Sequence, residues 1–124
     1  MKLAIPMENT DIHDAICASF GRAPLFLIYD TETKEHAFMD NAAAQSQGGA
    51  GVQAAQKLVD AGVDTIITYR LGENAAAVFK AGEMKLYKAR EGSALDNIGL
   101  LKDGKLALLD KIHPGFHHHG GDRP

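Results

Sequence analysis

The chain has a single cysteine, Cys17, among 124 residues. No internal disulfide can form, which fits a reducing, cytoplasmic setting, and no four-thiolate zinc or iron–sulfur site can be built within one chain. It has no apolar run near the length of a membrane span, and its opening Met1-Lys-Leu-Ala-Ile-Pro6 is too short for a signal peptide, so neither membrane nor export is expected. It has no excess of basic charge: the formal net charge is −3, and nothing electrostatic favours nucleic acid. GxGxxG is absent and no GK[ST] follows a glycine run, which leaves dinucleotide and Walker-type phosphate binding unsupported. The first apolar segment carries no carboxylate at Leu3, Ala4 or Ile5. A two-metal nuclease needs carboxylates converging there, so catalysis of that kind is not expected.

What is present suits one α/β domain over residues 1–112, followed by a His/Gly-rich tail over 113–124. Lys2-Leu-Ala-Ile-Pro6 reads as a first strand closed by a proline. Residues 7–18 read as polar, then weakly helical, with Asn9, Thr10 and Asp11 as caps before Ile12, Ala15 and Ile16. Leu25-Phe-Leu-Ile-Tyr29 is a continuous apolar strand, and Glu35-His-Ala-Phe-Met39 returns beside it as a hairpin. Val52, Ala55, Leu58 and Val59 have helical spacing before Gly62. A central strand over 64–69, a helix with Ala75, Val78 and Phe79 on one face, and an edge strand over 84–88 follow. Ser93-Ala-Leu-Asp96 opens a last helix by a capping box, with Leu95, Ile98 and Leu101 turned inward. Leu106–Leu109 is either a short strand or a strap. The order is β-β-β-α-β-α-β-α, which predicts a mixed sheet covered by helices.

The segment from Asn41 to Gly51 is the candidate functional element. Gly48, Gly49 and Gly51 remove Cβ atoms immediately before a helix, where unpaired N–H groups and the positive dipole end favour anions. The same glycines would also serve a purely structural turn and close helix packing. Ligands of open sheets bind beyond the carboxyl ends of the parallel strands. Three loops can meet there: the one after Pro6, the Asn41–Gly51 loop, and the one over 70–74. Cys17 would offer a soft thiolate or act as a buried small hydrophobe. Arg22 and Arg70 would pair with an anion through their planar forks or brace loop carbonyls. His113, His117, His118 and His119 could hold a divalent zinc, copper or nickel ion in a glycine-rich tail.

Three stretches together carry a resemblance: Lys2-Leu-Ala-Ile-Pro6, Phe20-Gly-Arg-Ala-Pro-Leu-Phe26, and Asn41 followed by Gly48-Gly-Ala-Gly51. The spacing of Gly62-Val-Asp-Thr-Ile66 and of Gly72 through Tyr87 agrees. Residues 2–101 resemble the NifX-type, dinitrogenase iron–molybdenum cofactor biosynthesis family, which also includes a molybdenum–copper cluster protein. The resemblance implies a three-layer, ribonuclease-H-like α/β fold: a mixed five-stranded sheet, one strand antiparallel, with helices on both faces. It implies a non-catalytic carrier of an anionic molybdenum-, iron- or copper–sulfur cluster, exchanging it with donor and acceptor proteins as a monomer or small homo-oligomer. From the residues and the resemblance together, the candidate cluster-binding residues are Cys17, Ser19, Arg22, Asn41, Gln47, Gly48, Gly49, Gly51 and Arg70. Many relatives carry histidines where this chain has Ser19 and Gln47, so it holds such a ligand differently or holds none. The alternative is a regulatory domain for a small anion or nucleotide, without a metallocluster.

Overall fold

The structure, a computed structural model, describes residues 1–45 and 49–109. Among the described residues, five strands and three helices follow the expected β-β-β-α-β-α-β-α order: β1 (Lys2–Met7), β2 (Leu25–Asp30), β3 (His36–Asp40), α1 (Ala50–Asp60), β4 (Thr65–Thr68), α2 (Glu73–Ala81), β5 (Lys85–Lys88) and α3 (Ala94–Lys102). A single 3-10 turn over Ala42–Gln45 precedes α1. The sheet order is β3-β2-β1-β4-β5. β1 runs parallel to β4, and β4 to β5, while β2 is antiparallel to both of its neighbours. This is the expected mixed sheet with one reversed strand.

Alternation along the strands sorts the core into two layers. Ala4, Phe26 and Ile66 face the side covered by α1 and α2, meeting Ala54, Ala55, Leu58, Ala75, Ala76 and Phe79. Leu3, Ile5, Leu27 and Ile67 face the other side, where α3 contributes Ala94 and Ile98 and the segment after it contributes Leu106. Full burial of a side chain such as Phe79 or Leu58 stabilises by about 1.5–3 kcal/mol.

Pro6 does not close β1, contrary to expectation. The strand continues to Met7, with Pro6 opposite Phe26 of β2. Thr31 N–H donates to Met1 O, and Asp64 N–H donates to Lys2 O. Odd-numbered residues of β1 therefore turn their backbone toward β2, and even-numbered ones toward β4. The missing N–H of Pro6 falls on the β4 side, where the parallel pairing ends at Ala4↔Ile66. Proline terminates one ladder and leaves the other intact. The freed Pro6 carbonyl instead accepts Cys17 N–H at 2.8 Å.

Two further expectations are corrected. Residues 8–20 contain no helix. Asp11, read as a cap, bonds locally: its carboxylate accepts His13 N–H at 2.9 Å and its carbonyl accepts Asp14 N–H at 3.0 Å, a turn that competes with helix. Ile16 and Ala15 are extended, bridging Met7 and Ser93. Leu95, read as inward, is 38% exposed. The capping box of Ser93 and Asp96 forms as expected, and Ile98 turns inward as expected with Leu101 half-buried against the same core, but Ala94 and Asn97 are buried where Leu95 was expected. The undecided segment 106–109 is a strap with one bridge, Tyr87↔Leu108. Lys88 N–H bonds Ala107 O and Leu109 N–H bonds Leu86 O, each at 2.9 Å, covering the outer edge of β5.

Candidate functional site: a cleft between two helix N-termini

The carboxyl ends of β1 and β4 open into a cleft of about 420 Å³. The three loops expected to meet there do so: residues 18–22, 49–52 and 70–75 line it. Its walls include the first turns of two helices, Ala50, Gly51 and Val52 of α1 and Glu73, Asn74 and Ala75 of α2. Neither helix has a side-chain cap: Gly49 and Gly72 occupy the N-cap positions without a hydrogen bond from a side chain. First-turn N–H groups have no partner within their own helix, so both helices bring donors and partial positive charge to the same cleft. Arg22 and Arg70 also line it, as do Ser19 and the carboxylate-bearing Glu73, which offsets part of the positive potential.

Small residues make this convergence possible. A Cβ on Gly21 would lie 3.1 Å from Gly51 N and 3.2 Å from Gly51 Cα, so the two backbones approach as closely as glycine allows. Gly51 in turn lies against Ala75, where an added Cβ would sit 3.5 Å from the alanine methyl. Gly51 is thus a helix-packing residue as well as a cleft residue. Gly49 is different: its φ of 72° is left-handed, the conformation that glycine adopts without strain. Below the cleft, the Phe20 ring packs tilted against Phe26 and edge-on against Phe79, with centroids 5.1 and 5.5 Å apart. Such pairs contribute roughly 0.5–1.5 kcal/mol each beyond their burial and hold the 18–22 loop against the core.

Of the expected site residues, Ser19, Arg22, Gly49, Gly51 and Arg70 are brought together. Arg22 also braces its loop, with Nη1 donating to Ala44 O at 2.8 Å and its N–H meeting Ser19 Oγ at 3.3 Å. Asn41 is buried and is absent from the cleft wall. Its Nδ2 donates to Ala23 O at 2.8 Å and Gly21 O at 3.2 Å, and its N–H to Pro24 O at 3.0 Å. The end of β3 is thereby tied to the turn that carries Gly21. Asn41 Oδ1 has no hydrogen-bond partner among the described residues.

Cys17 is 8% exposed and does not line the cleft. Burial pushes its thiol above the usual range, only partly opposed by the Ser19 backbone N–H, and the Glu8 carboxylate pushes it further up. A protonated thiol is a poor metal ligand. Gln47, Gly48 and the four tail histidines, His113, His117, His118 and His119, lie outside the described residues. Among the described residues no three His, Cys, Asp or Glu side chains cluster as a metal site, and no helix is long and apolar enough to cross a membrane.

Sequence reasoning missed Gly21, Gly72 and the first turn of α2. A glycine a few residues after a strand and immediately before a helix, as in Leu71-Gly-Glu-Asn74, was the available signal for the second N-terminus.

Family relationships agree with this architecture. The sequence profile of the dinitrogenase iron-molybdenum cofactor family matches residues 1–104. The chain belongs to that family. This family member is 32% identical over 113 residues to an uncharacterized protein of Methanocaldococcus jannaschii, a match spanning 89% of the chain and 92% of that relative. It superposes on a candidate NifB protein from Thermotoga with a TM-score of 0.78 and 32% identity, covering 90% of this chain and 95% of the other. The apo form of the orange protein from Desulfovibrio gigas superposes with a TM-score of 0.84, covering 88% and 92% of the two chains. At 24% identity the latter likeness concerns the fold.

Proposed function

We propose that this family member binds and carries an anionic metal–sulfur cluster in the cleft between α1 and α2, without catalysing a reaction on it. The observation that carries the reading is the convergence of two helix N-termini, lacking side-chain caps, on one cleft that also holds Arg22 and Arg70. Its volume of about 420 Å³ lies within the range of small-molecule sites. The donors are backbone N–H groups, guanidinium groups and the Ser19 hydroxyl, all of which suit sulfide or oxide ligands on the outside of an intact cluster. No thiolate or imidazole among the described residues lines the cleft. The protein would therefore hold its cargo by charge and hydrogen bonds, leaving the metal ions their own sulfides, and would pass it between donor and acceptor proteins whole.

The same lack of a soft ligand favours a second reading, a regulatory domain for a small anion or nucleotide. Anaerobic titration of the full chain with tetrathiomolybdate, with and without copper(I), separates the two when molybdate and ATP are run in parallel. The cluster reading expects the thiometallate to bind with a Kd of about 10 μM or tighter and the oxyanions more weakly. Saturable ATP or molybdate binding without thiometallate binding would establish the regulatory reading instead.

A further inference from the structure

The outer edge of β3 is open, and its residues are arranged to recognise themselves. In the hairpin with β2, Asp30 N–H donates to Glu35 O at 2.9 Å and Asn41 N–H to Pro24 O at 3.0 Å. These flank the register pairs from Leu25↔Asp40 to Tyr29↔His36. Residues 35, 37, 39 and 41 therefore turn their backbone groups toward β2, and His36, Phe38 and Asp40 turn theirs outward. The opposite end of the sheet is covered by the strap over 106–109, whereas β3 has no such cover among the described residues. Only the Lys57 ammonium reaches this edge there, donating to Asp40 O at 3.1 Å. A carbonyl oxygen has a second lone pair for another donor. β3 itself contains no proline and no lysine, the residues that commonly protect an edge.

We propose that this edge pairs antiparallel with β3 of a second copy, about a two-fold axis at Phe38, joining two sheets into one. In that register all three outward residues form hydrogen-bonded pairs. Phe38 of each copy faces the other, and His36 of each copy faces Asp40 of the other. A slip of two residues leaves one outward residue of each strand unpaired and breaks both His–Asp pairs. Parallel pairing sets His36 on His36 and Asp40 on Asp40. The three side chains share the face covered by α3, since Phe38 lies opposite Leu27 and His36 opposite Tyr29. The His36 ring already stands edge-on to Phe38, with centroids 5.8 Å apart and planes at 88°, which holds it beside the strand. The contact is short, so the dimer is a weak one that forms at high protein concentration. It does not depend on what the cleft binds.

Sedimentation equilibrium of the full chain from about 10 μM to about 1 mM should show a monomer–dimer equilibrium. His36→Asp, which sets like charges opposite each other at two places, should weaken it about tenfold or more. The exchanged pair His36→Asp with Asp40→His should restore it. Phe38→Cys should form an intermolecular disulfide on mild oxidation, because a hydrogen-bonded antiparallel pair places its Cα atoms about 5.5 Å apart; Ala37→Cys should not. A chain that stays monomeric throughout that concentration range overturns the proposal. So does a dimer that resists His36→Asp, or one that the exchanged pair fails to restore.

Discussion

Replacing Gly49 by valine separates the conformational role of the loop from its packing. Gly49 has φ 72° and ψ 18°, and the nearest atom to an added Cβ is Gln53 Nε2 at 3.8 Å. That is ordinary contact, so nothing need move to admit the side chain. The penalty is conformational: a left-handed L-residue costs about 1–2 kcal/mol, and a β-branched one is the least tolerant. For a domain of this size the expected fall in Tm is on the order of 3–12 °C. Alternatively the residue leaves the left-handed region and the first turn of α1 is re-aimed. Either way the loop loses its set geometry, and losing one charge-assisted N–H contact to an anion weakens binding about tenfold or more. Gly72→Ala provides the contrast in stability, because Gly72 has φ −75° and no atom lies within 4 Å of its added Cβ. Its Tm should match the wild type. Circular-dichroism melts and calorimetric titration with tetrathiomolybdate read both effects. Unchanged Tm and unchanged affinity in Gly49→Val would refute the argument.

Other outcomes are expected elsewhere in the chain. The raised thiol of Cys17 means that the folded chain holds this proton more tightly than the unfolded one. Its contribution should be complete below the ordinary thiol pKa of about 8.5 and should be lost as pH rises through the folded value; denaturant midpoints between neutral and alkaline pH, compared with Cys17→Ser, test this slope. Cys17→Ser should also leave thiometallate affinity within about twofold of wild type, and a loss comparable to Gly49→Val would return the thiol to the site. Asn41→Ala orphans the Gly21 and Ala23 carbonyls and should destabilise by roughly 1–3 kcal/mol, with wild-type urea midpoints arguing against the brace. Deleting residues 113–124 should preserve the melting temperature and weaken zinc, copper or nickel binding; unchanged metal affinity would exclude the tail as a site. Magnesium or manganese should elicit no nuclease activity from highly purified protein, and turnover lost on mutating Asp64 would overturn the non-catalytic reading.

The parts of the fold that were legible in the sequence are those decided locally. The apolar run Leu25–Tyr29, the alternation around Lys85–Lys88 and the Ser93–Asp96 capping box each specify an element without help from distant residues. Residues 7–18 were misread because Asp11 serves turns and caps equally well, and only contact with Met7 and Ser93 decides between them. Leu95 was misread because a capping box fixes where a helix starts and leaves open which side meets the sheet. Asn97 shows the same limit. It is fully buried, yet its partners are the backbone groups of Arg90 and Ser93, which no residue pattern displays. In the cleft, strand ends and loop order predicted which loops meet. The roles of Gly21 and Gly51 depend on a backbone approach of about van der Waals distance, which exists only once β1 and α1 are placed.

We place the anion site at the two helix N-termini. Amide chemical-shift mapping of the labelled full chain during anaerobic titration with tetrathiomolybdate tests it most directly. Saturable shifts should concentrate at residues 49–52 and 72–75, with Arg22 and Arg70 side-chain signals moving in step. Saturation with shifts confined to residues 113–124, or to the exposed backs of α1 and α2, would contradict this placement.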